Sequence, residues 1–224
     1  IRTPMNGIIG MTQIALQHLD DPDRVEDCLR KIDESSKHLL ELINEVLDMS
    51  KIESGNTSLN NEPTYLYDMA KMSADLCATQ IEKKHHHFTL DLSGLTQDYV
   101  LADPVRLRQI FVNLLSNAIK YTPKGSTIRI CAMTENGKAK IQVEDNGPGI
   151  CDEMKPHIFE MFYTGKNTIA DSHRSLGLGL ALCRSIIEVH NGKLVLEDNT
   201  PHGCIFSFTL PLSCLLYTSP SPRD

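Results

Sequence analysis

Residues 113–121 read Asn-Leu-Leu-Ser-Asn-Ala-Ile-Lys-Tyr, residues 145–150 read Asp-Asn-Gly-Pro-Gly-Ile, and residues 176–181 read Leu-Gly-Leu-Gly-Leu-Ala. In the first stretch Asn113, Asn117 and Lys120 recur at steps of four and three, which puts them on one face of a helix. Two amide oxygens beside a lysine can serve a hard cation and a phosphate chain at once. Alone, the same pattern is equally a solvated helix face. In the second stretch Asp145 closes a strand-like run. A carboxylate there can accept amino hydrogens of adenine, and Gly147 and Gly149 let the backbone approach a ring. An ordinary Asp-Asn-Gly turn has the same residues. In the third, Gly177 and Gly179 open a helix and expose backbone N–H groups to phosphate. The full Gly-x-Gly-x-x-Gly of dinucleotide binding is absent, and Gly165-Lys166 lacks the flanking residues of a Walker loop.

Outward from these stretches, the pattern predicts a helix over 65–83, a strand over 88–92, and a helix capped by Asp103-Pro104 that reaches Tyr121. Strands over 128–133 and 139–144 are joined by the turn Glu135-Asn136-Gly137. A helix over 179–190 and strands over 193–196 and 205–210 follow. The sum is several helices against one face of an antiparallel sheet. Residues 1–54 read instead as two helices broken at Asp20-Asp21-Pro22, with Asp21 as N-cap. Ile1, Met5, Ile8, Thr12, Ala15 and Leu19 mark one face of the first. Val25, Leu29, Ile32, Ser36, Leu39, Ile43 and Val46 repeat at coiled-coil spacing along the second, widened by Cys28, Ser35, Leu42 and Met49, and Ser54-Gly55-Asn56 ends it. Such a hairpin cannot bury its apolar faces alone, and a second copy making four helices is the simplest remedy.

The chain has 224 residues, 41% hydrophobic, with a formal net charge of −7. The acidic balance argues against a nucleic-acid partner. No apolar run reaches the roughly 20 residues of a membrane span. Ile1-Arg2-Thr3-Pro4 is neither a basic leader nor a start methionine, so the front end reads as clipped. Seven scattered cysteines without a Cys-x-x-Cys pair read as core thiols of a cytoplasmic protein. His85-His86-His87 is a poor metal cluster, because adjacent side chains diverge on a helix or a strand. His18 and His38 read as solvated. The proline-dotted stretch 213–224 reads as a non-native or disordered tail.

In their order, the three stretches resemble the N, G1 and G2 boxes of the ATP-binding domain of sensor histidine kinases. Phe159-Glu160-Met161-Phe162-Tyr163 resembles that family's F box, between G1 and G2. Ile1-Arg2-Thr3-Pro4-Met5-Asn6-Gly7 looks like its phosphoacceptor box, usually His-Glu-(Ile/Leu)-Arg-Thr-Pro. The resemblance covers residues 1–212, and its first part, 1–121, is similar to hybrid kinases. It implies an α+β chain: a truncated dimerisation and phosphoacceptor hairpin over 1–54, then an α/β two-layer sandwich of the Bergerat type over 57–212. It also implies ATP and Mg²⁺ as cofactors. Asn117 would be the main Mg²⁺ ligand with Asn113 assisting, Lys120 would contact phosphate, and Tyr121 would pack near adenine. Asp145 would read the adenine amino group beside Gly147, Gly149 and Ile150. Phe159 and Phe162 would flank the nucleotide, while Gly177, Leu178 and Gly179 hold phosphates. Residues 163–175 would form a mobile lid. The family often has Gly-Thr or Gly-Ser before the paired glycines, where this chain has Ser175 and Leu176. Lys166 or Arg174 would supply charge instead.

The resemblance further implies phosphoryl transfer from ATP to a histidine and then to a receiver aspartate. The phosphoacceptor histidine would stand just ahead of Ile1, outside this fragment. Thr3, one helical turn after it, would orient water for dephosphorylating the receiver. The implied partners are a second copy through 1–54 and the receiver domain of a response regulator, in a parent attached to a membrane through upstream segments. Two other readings remain. ATP hydrolases of the same superfamily carry a glutamate four residues before the Mg²⁺-binding asparagine. Here that place is Asn113, and an amide gives water no general base. The second is a nucleotide-binding regulatory module without kinase activity.

Overall fold

The computed structural model describes residues 2–53, 59–164 and 177–213. The chain divides into two compact units, 1–57 and 58–224. In the first, α1 (Arg2–Gln17) and α2 (Pro22–Glu53) form a hairpin. Asp21 caps α2 as expected, its Oδ1 accepting from the Arg24 N–H at 3.2 Å with Pro22 in the first helical position. His18 is not solvated: it is half-buried, and its Nδ1 donates to the Ile14 carbonyl at 2.9 Å.

The expected apolar stripe of α2 divides in two. Cys28, Leu42 and Met49 are buried with Ala15 of α1, whereas Leu29 and Ile43 are exposed by 57% and 39%. Met5, Ile9, Leu16, Leu19, Leu40 and Leu47 are also exposed. The ion pairs of α2, Asp27 with Arg30 and Lys31, Arg30 with Glu34 and Asp33 with Lys37, are on the surface. Surface pairs contribute little, so apolar packing holds the hairpin, and much apolar surface is left over. Ser54-Gly55-Asn56, the expected helix end, lies outside the described residues.

The second unit runs β1 (Glu62–Tyr65), α3 (Leu66–Lys83), β2 (His87–Gly94), β3 (Tyr99–Ala102), α4 (Pro104–Tyr121), β4 (Thr127–Glu135), β5 (Lys138–Asp145), α5 (Gly179–Val189), β6 (Leu194–Asp198) and β7 (Cys204–Pro211). Its main sheet has the order β2-β4-β5-β7-β6, and β1 pairs with β3 apart from it. The sheet is mixed rather than antiparallel, because β2 and β4 run parallel. Parallel neighbours need a crossover, and α4 lies in the segment that provides it. The expected hairpin turn is present: Asn136 and Gly137 have φ of 51° and 74°, the left-handed pair of a type I′ turn.

Strand alternation makes two layers. Ile128, Ile130, Ile141, Val143 and Phe208 are buried on one side together with Leu107, Phe111 and Leu114 of α4 and Leu182 and Ile186 of α5. Phe111 meets Phe208 edge-on at 5.7 Å. The opposite face is polar: Asp91 pairs with Arg129, Cys131 donates to Glu144, and Gln142 donates to Ser207. Asp103 caps α4 with Oδ1 accepting from the N–H groups of Val105 and Arg106, a cap worth about 1 kcal/mol. Ser213, one past the expected boundary, is still bonded to the second unit. Leu212 bridges to Val100, and Ser213 donates its N–H to Tyr99 while its carbonyl accepts from Gln97. Residues 214–224 lie outside the described residues.

Candidate functional site

Helix α4 carries Asn113, Asn117 and Lys120 on one face. Asn113 Nδ2 donates to the Gly179 carbonyl at 3.4 Å. A methyl at Gly179 would stand 3.7 Å from the Asn113 amide carbon, so α4 meets the start of α5 there. Among the described residues no side chain caps α5 at Leu178, and uncapped first N–H groups of a helix suit an anionic ligand. Gly177 has φ of 70°, and a Cβ on it would collide with the Tyr163 carbonyl. The segment after Phe159 therefore runs against the glycine pair. Phe159 itself packs edge-on to Phe206 at 6.4 Å. Phe162 is 62% exposed with φ of 63°.

Asp145 ends β5 and is buried, with 8% exposure. Its Oδ1 accepts from the N–H of Gly147 at 2.8 Å and of Cys204 at 3.4 Å. Its Oδ2 accepts no hydrogen bond among the described residues and is not sealed from solvent. Burial pushes the carboxyl above the usual carboxylate range, and the two N–H groups pull it partly back. Burial, with Asp145 next to it, pushes the Cys204 thiol up to about 12. That thiol is therefore inert near neutral pH. Gly147 touches the end of α4, since a Cβ there would stand 2.8 Å from Thr122 Cγ2. Lys120 and Tyr121 are exposed, with the Lys120 ammonium 5.1 Å over the Tyr121 ring.

Thus α4, the 145–150 turn, the 159–163 segment and the α5 start converge. Gly149 and Ile150 are half-buried in that turn, with Leu178 buried nearby in the chain at the α5 cap. Lys166 and Arg174, with Ser175 and Leu176 and all but the first two residues of the expected lid, lie outside the described residues. Thr3 stands exposed in the first turn of α1. The donor chemistry suits Mg²⁺: two side-chain amide oxygens one helical turn apart are hard ligands. Asn117 makes no side-chain hydrogen bond among the described residues that would need to be broken.

Three residues escaped the sequence reading. Asn199 Nδ2 donates to the Asp145 carbonyl at 2.8 Å. His202 Nδ1 donates to the Gly147 carbonyl at 3.0 Å. Gly203 has φ of 120° and lies flat on the Asp145 carbonyl, where any Cβ would collide. All three belong to the β6–β7 turn, 54 to 58 positions after Asp145. The only signal was the Asn-Thr-Pro-His-Gly turn composition, which marks a turn without saying what it touches. His190 also went unread: its Nδ1 donates to Ile186 and its Nε2 accepts the Asp103 N–H, joining the end of α5 to the start of α4.

Two family models match. Residues 1–55 match the His Kinase A (phospho-acceptor) domain, and residues 102–213 match the histidine kinase-, DNA gyrase B- and HSP90-like ATPase. The circadian input-output histidine kinase CikA of Synechococcus elongatus is 34% identical over 219 residues, covering 96% of this chain and 29% of CikA. Full-length ShkA in complex with AMPPNP superposes with a TM-score of 0.75 at 25% identity, covering 95% of this chain and 44% of ShkA. ThkA in complex with the response regulator TrrA superposes with a TM-score of 0.73 at 29% identity, over 95% of this chain and 58% of that one. The chain spans under a third of the length of the curated relatives it matches. Among the described residues, no helix is long and apolar enough to cross a membrane.

Proposed function

The chain belongs to the histidine kinase family, and on that premise we propose that it is the ATP–Mg²⁺-binding, phosphoryl-transferring core of a two-component kinase. The observation that carries this reading is Asp145: a buried carboxylate with one oxygen held by two backbone N–H groups and the other open. The open oxygen suits the adenine amino group, and Gly147, Gly149 and Ile150 give the ring its turn. Tyr121, Phe159 and Phe162 flank the nucleotide. Gly177, Leu178 and Gly179 offer N–H groups to the phosphates, and Lys120 adds charge. Asn117, assisted by Asn113, holds Mg²⁺, which offsets charge on the phosphate oxygens. The reaction is in-line attack by an imidazole nitrogen on the γ-phosphorus, breaking the bond to the bridging oxygen, which leaves on ADP. Asn113 gives water no base, so a nucleophile other than water is favoured. Thr3 orients water for a separate, opposing step, attack on the receiver's phosphoaspartate that releases inorganic phosphate and restores the carboxylate.

Calorimetric titration tests the binding half. ATP with Mg²⁺ is expected to bind in the micromolar-to-millimolar range and GTP at least about tenfold more weakly, because guanine presents a carbonyl where adenine presents its amino group. No binding of ATP would reject the reading. Transfer is tested with γ-labelled ATP on a chain extended upstream by the family's histidine box. A label that is acid-labile and base-stable is expected, and its absence rejects the kinase assignment.

The exposed apolar residues of the hairpin support a homodimer through 2–53 and docking of a receiver domain on the bundle, the kind of complex that ThkA makes with TrrA. In sedimentation, Leu29→Glu with Ile43→Glu is expected to convert a dimer to a monomer. An unchanged mass would place the interface elsewhere.

A further inference from the structure

Lys84 lies outside every box, at the C-cap of α3. Its ammonium nonetheless reaches the end of α4, donating to the carbonyls of Ile119 at 2.6 Å, Lys120 at 3.0 Å and Thr122 at 3.2 Å. An ammonium has three N–H donors, and all three are used. The last four carbonyls of a helix lack helical partners. Here the Ala118 carbonyl accepts from the Thr122 N–H and hydroxyl, and those of Ile119 and Lys120 accept from Lys84. The same residue grips the far side of the turn, because its own carbonyl accepts the Gly125 N–H at 2.9 Å. The neighbouring His87 donates its N–H to Ser126.

We propose that Lys84 is a positioning residue for the nucleotide site: its three-carbonyl clasp on the end of α4 sets where Lys120 meets phosphate. The clasp includes the carbonyl of Lys120 itself, so the last turn of α4 cannot unwind while the ammonium is in place. Its charge also sits at the negative end of the helix dipole. Thr122, whose carbonyl is the third acceptor, is the residue against Gly147. The adenine end has separate fastenings, in the Asn199 and His202 bonds to the 145–147 turn. Loss of the clasp therefore acts on phosphate contact more than on adenine contact.

This inference rests on the ATP-binding reading. The test compares ATP–Mg²⁺ and adenosine as ligands of the full chain, by calorimetry and NMR titration, with folding verified by circular dichroism. Lys84→Met, which keeps the stem and removes the charge, is expected to weaken ATP about tenfold and adenosine less than about twofold. Lys84→Gln, which keeps two donors, is expected to show the same split at about threefold for ATP, and it decides the matter if the methionine variant does not fold. Equal losses for the two ligands, or unchanged ATP affinity in a folded variant, overturn the proposal, because a merely structural lysine would not separate them. A wild-type chain that fails to bind ATP instead overturns the function proposed above.

Discussion

Asp145→Asn is expected to weaken ATP binding by about 10- to 100-fold, roughly 1–3 kcal/mol. The N–H groups of Gly147 and Cys204 both point at Oδ1, so the asparagine oxygen must take that place. Its NH₂ then stands where Oδ2 stood and faces the adenine amino group, donor against donor. Adenosine should lose as much as ATP, since the defect lies at the base. Calorimetry on the two chains decides, and equal affinities would remove Asp145 from the adenine site. The same pair reports on pH. Burial holds the Asp145 carboxyl above its ordinary value of 3.8 in the folded chain, so the folded state binds the proton more tightly than the unfolded state. The resulting stability is fully present below the unfolded value and is lost as pH rises through the raised folded value. Relative to Asp145→Asn, ligand-free wild type should therefore lose stability to urea as pH rises across that window. A difference that does not change with pH would contradict the burial argument.

Gly203→Ala is expected to destabilise the second unit by about 3–5 kcal/mol and to abolish ATP binding. Two costs coincide. A φ of 120° is open to glycine and strained for alanine, and the new methyl collides with the Asp145 carbonyl. That atom is backbone, so no side chain can swing aside. Relief requires the β6–β7 turn or the 145–147 turn to move, and either motion withdraws the donors that hold Asp145. Gly125→Ala is the control: its φ of 79° is also left-handed, but a Cβ there meets nothing within 4 Å. It should cost about 1 kcal/mol and leave binding intact. A loss in Gly203→Ala no larger than in the control would show that the turn is soft.

What the sequence made legible was local. The Asp103-Pro104 and Asp21-Pro22 starts, the Asn136-Gly137 turn and the helix bearing Asn113 and Asn117 each depend on residues within a few positions of one another. The short strands β1 and β3 were missed, since four residues are too few to show periodicity and β1 also contains Pro63. The parallel pairing of β2 with β4 was missed because strand direction is not written in alternation. The two-way division of the α2 stripe was missed because hydrophobicity marks a residue as apolar without naming its partner. Within the candidate site, the boxes supplied the residues proposed to meet the nucleotide, while the side chains that hold those segments, Lys84, Asn199 and His202, were common polar residues at turns. Nothing in their types distinguishes a clasp from a solvated loop.

The bonds that hold the site have a consequence for the order in which it is built. Asn199 and His202 reach Asp145 and Gly147 across 54 and 55 positions, the Cys204 N–H reaches Asp145 across 59, and Asn113 reaches Gly179 across 66. The β4–β5 hairpin, by contrast, closes over two residues. Contacts between distant positions pay their loop-closure entropy before they return anything. The hairpin that ends in Asp145 can therefore form early, with its carboxylate unheld, and the donors arrive only when β7 pairs alongside. On a growing chain the N box and the G1 turn leave the ribosome as finished words and remain without meaning until residues 199–204 follow. A nascent chain stopped short of that turn would keep both boxes and have no nucleotide site.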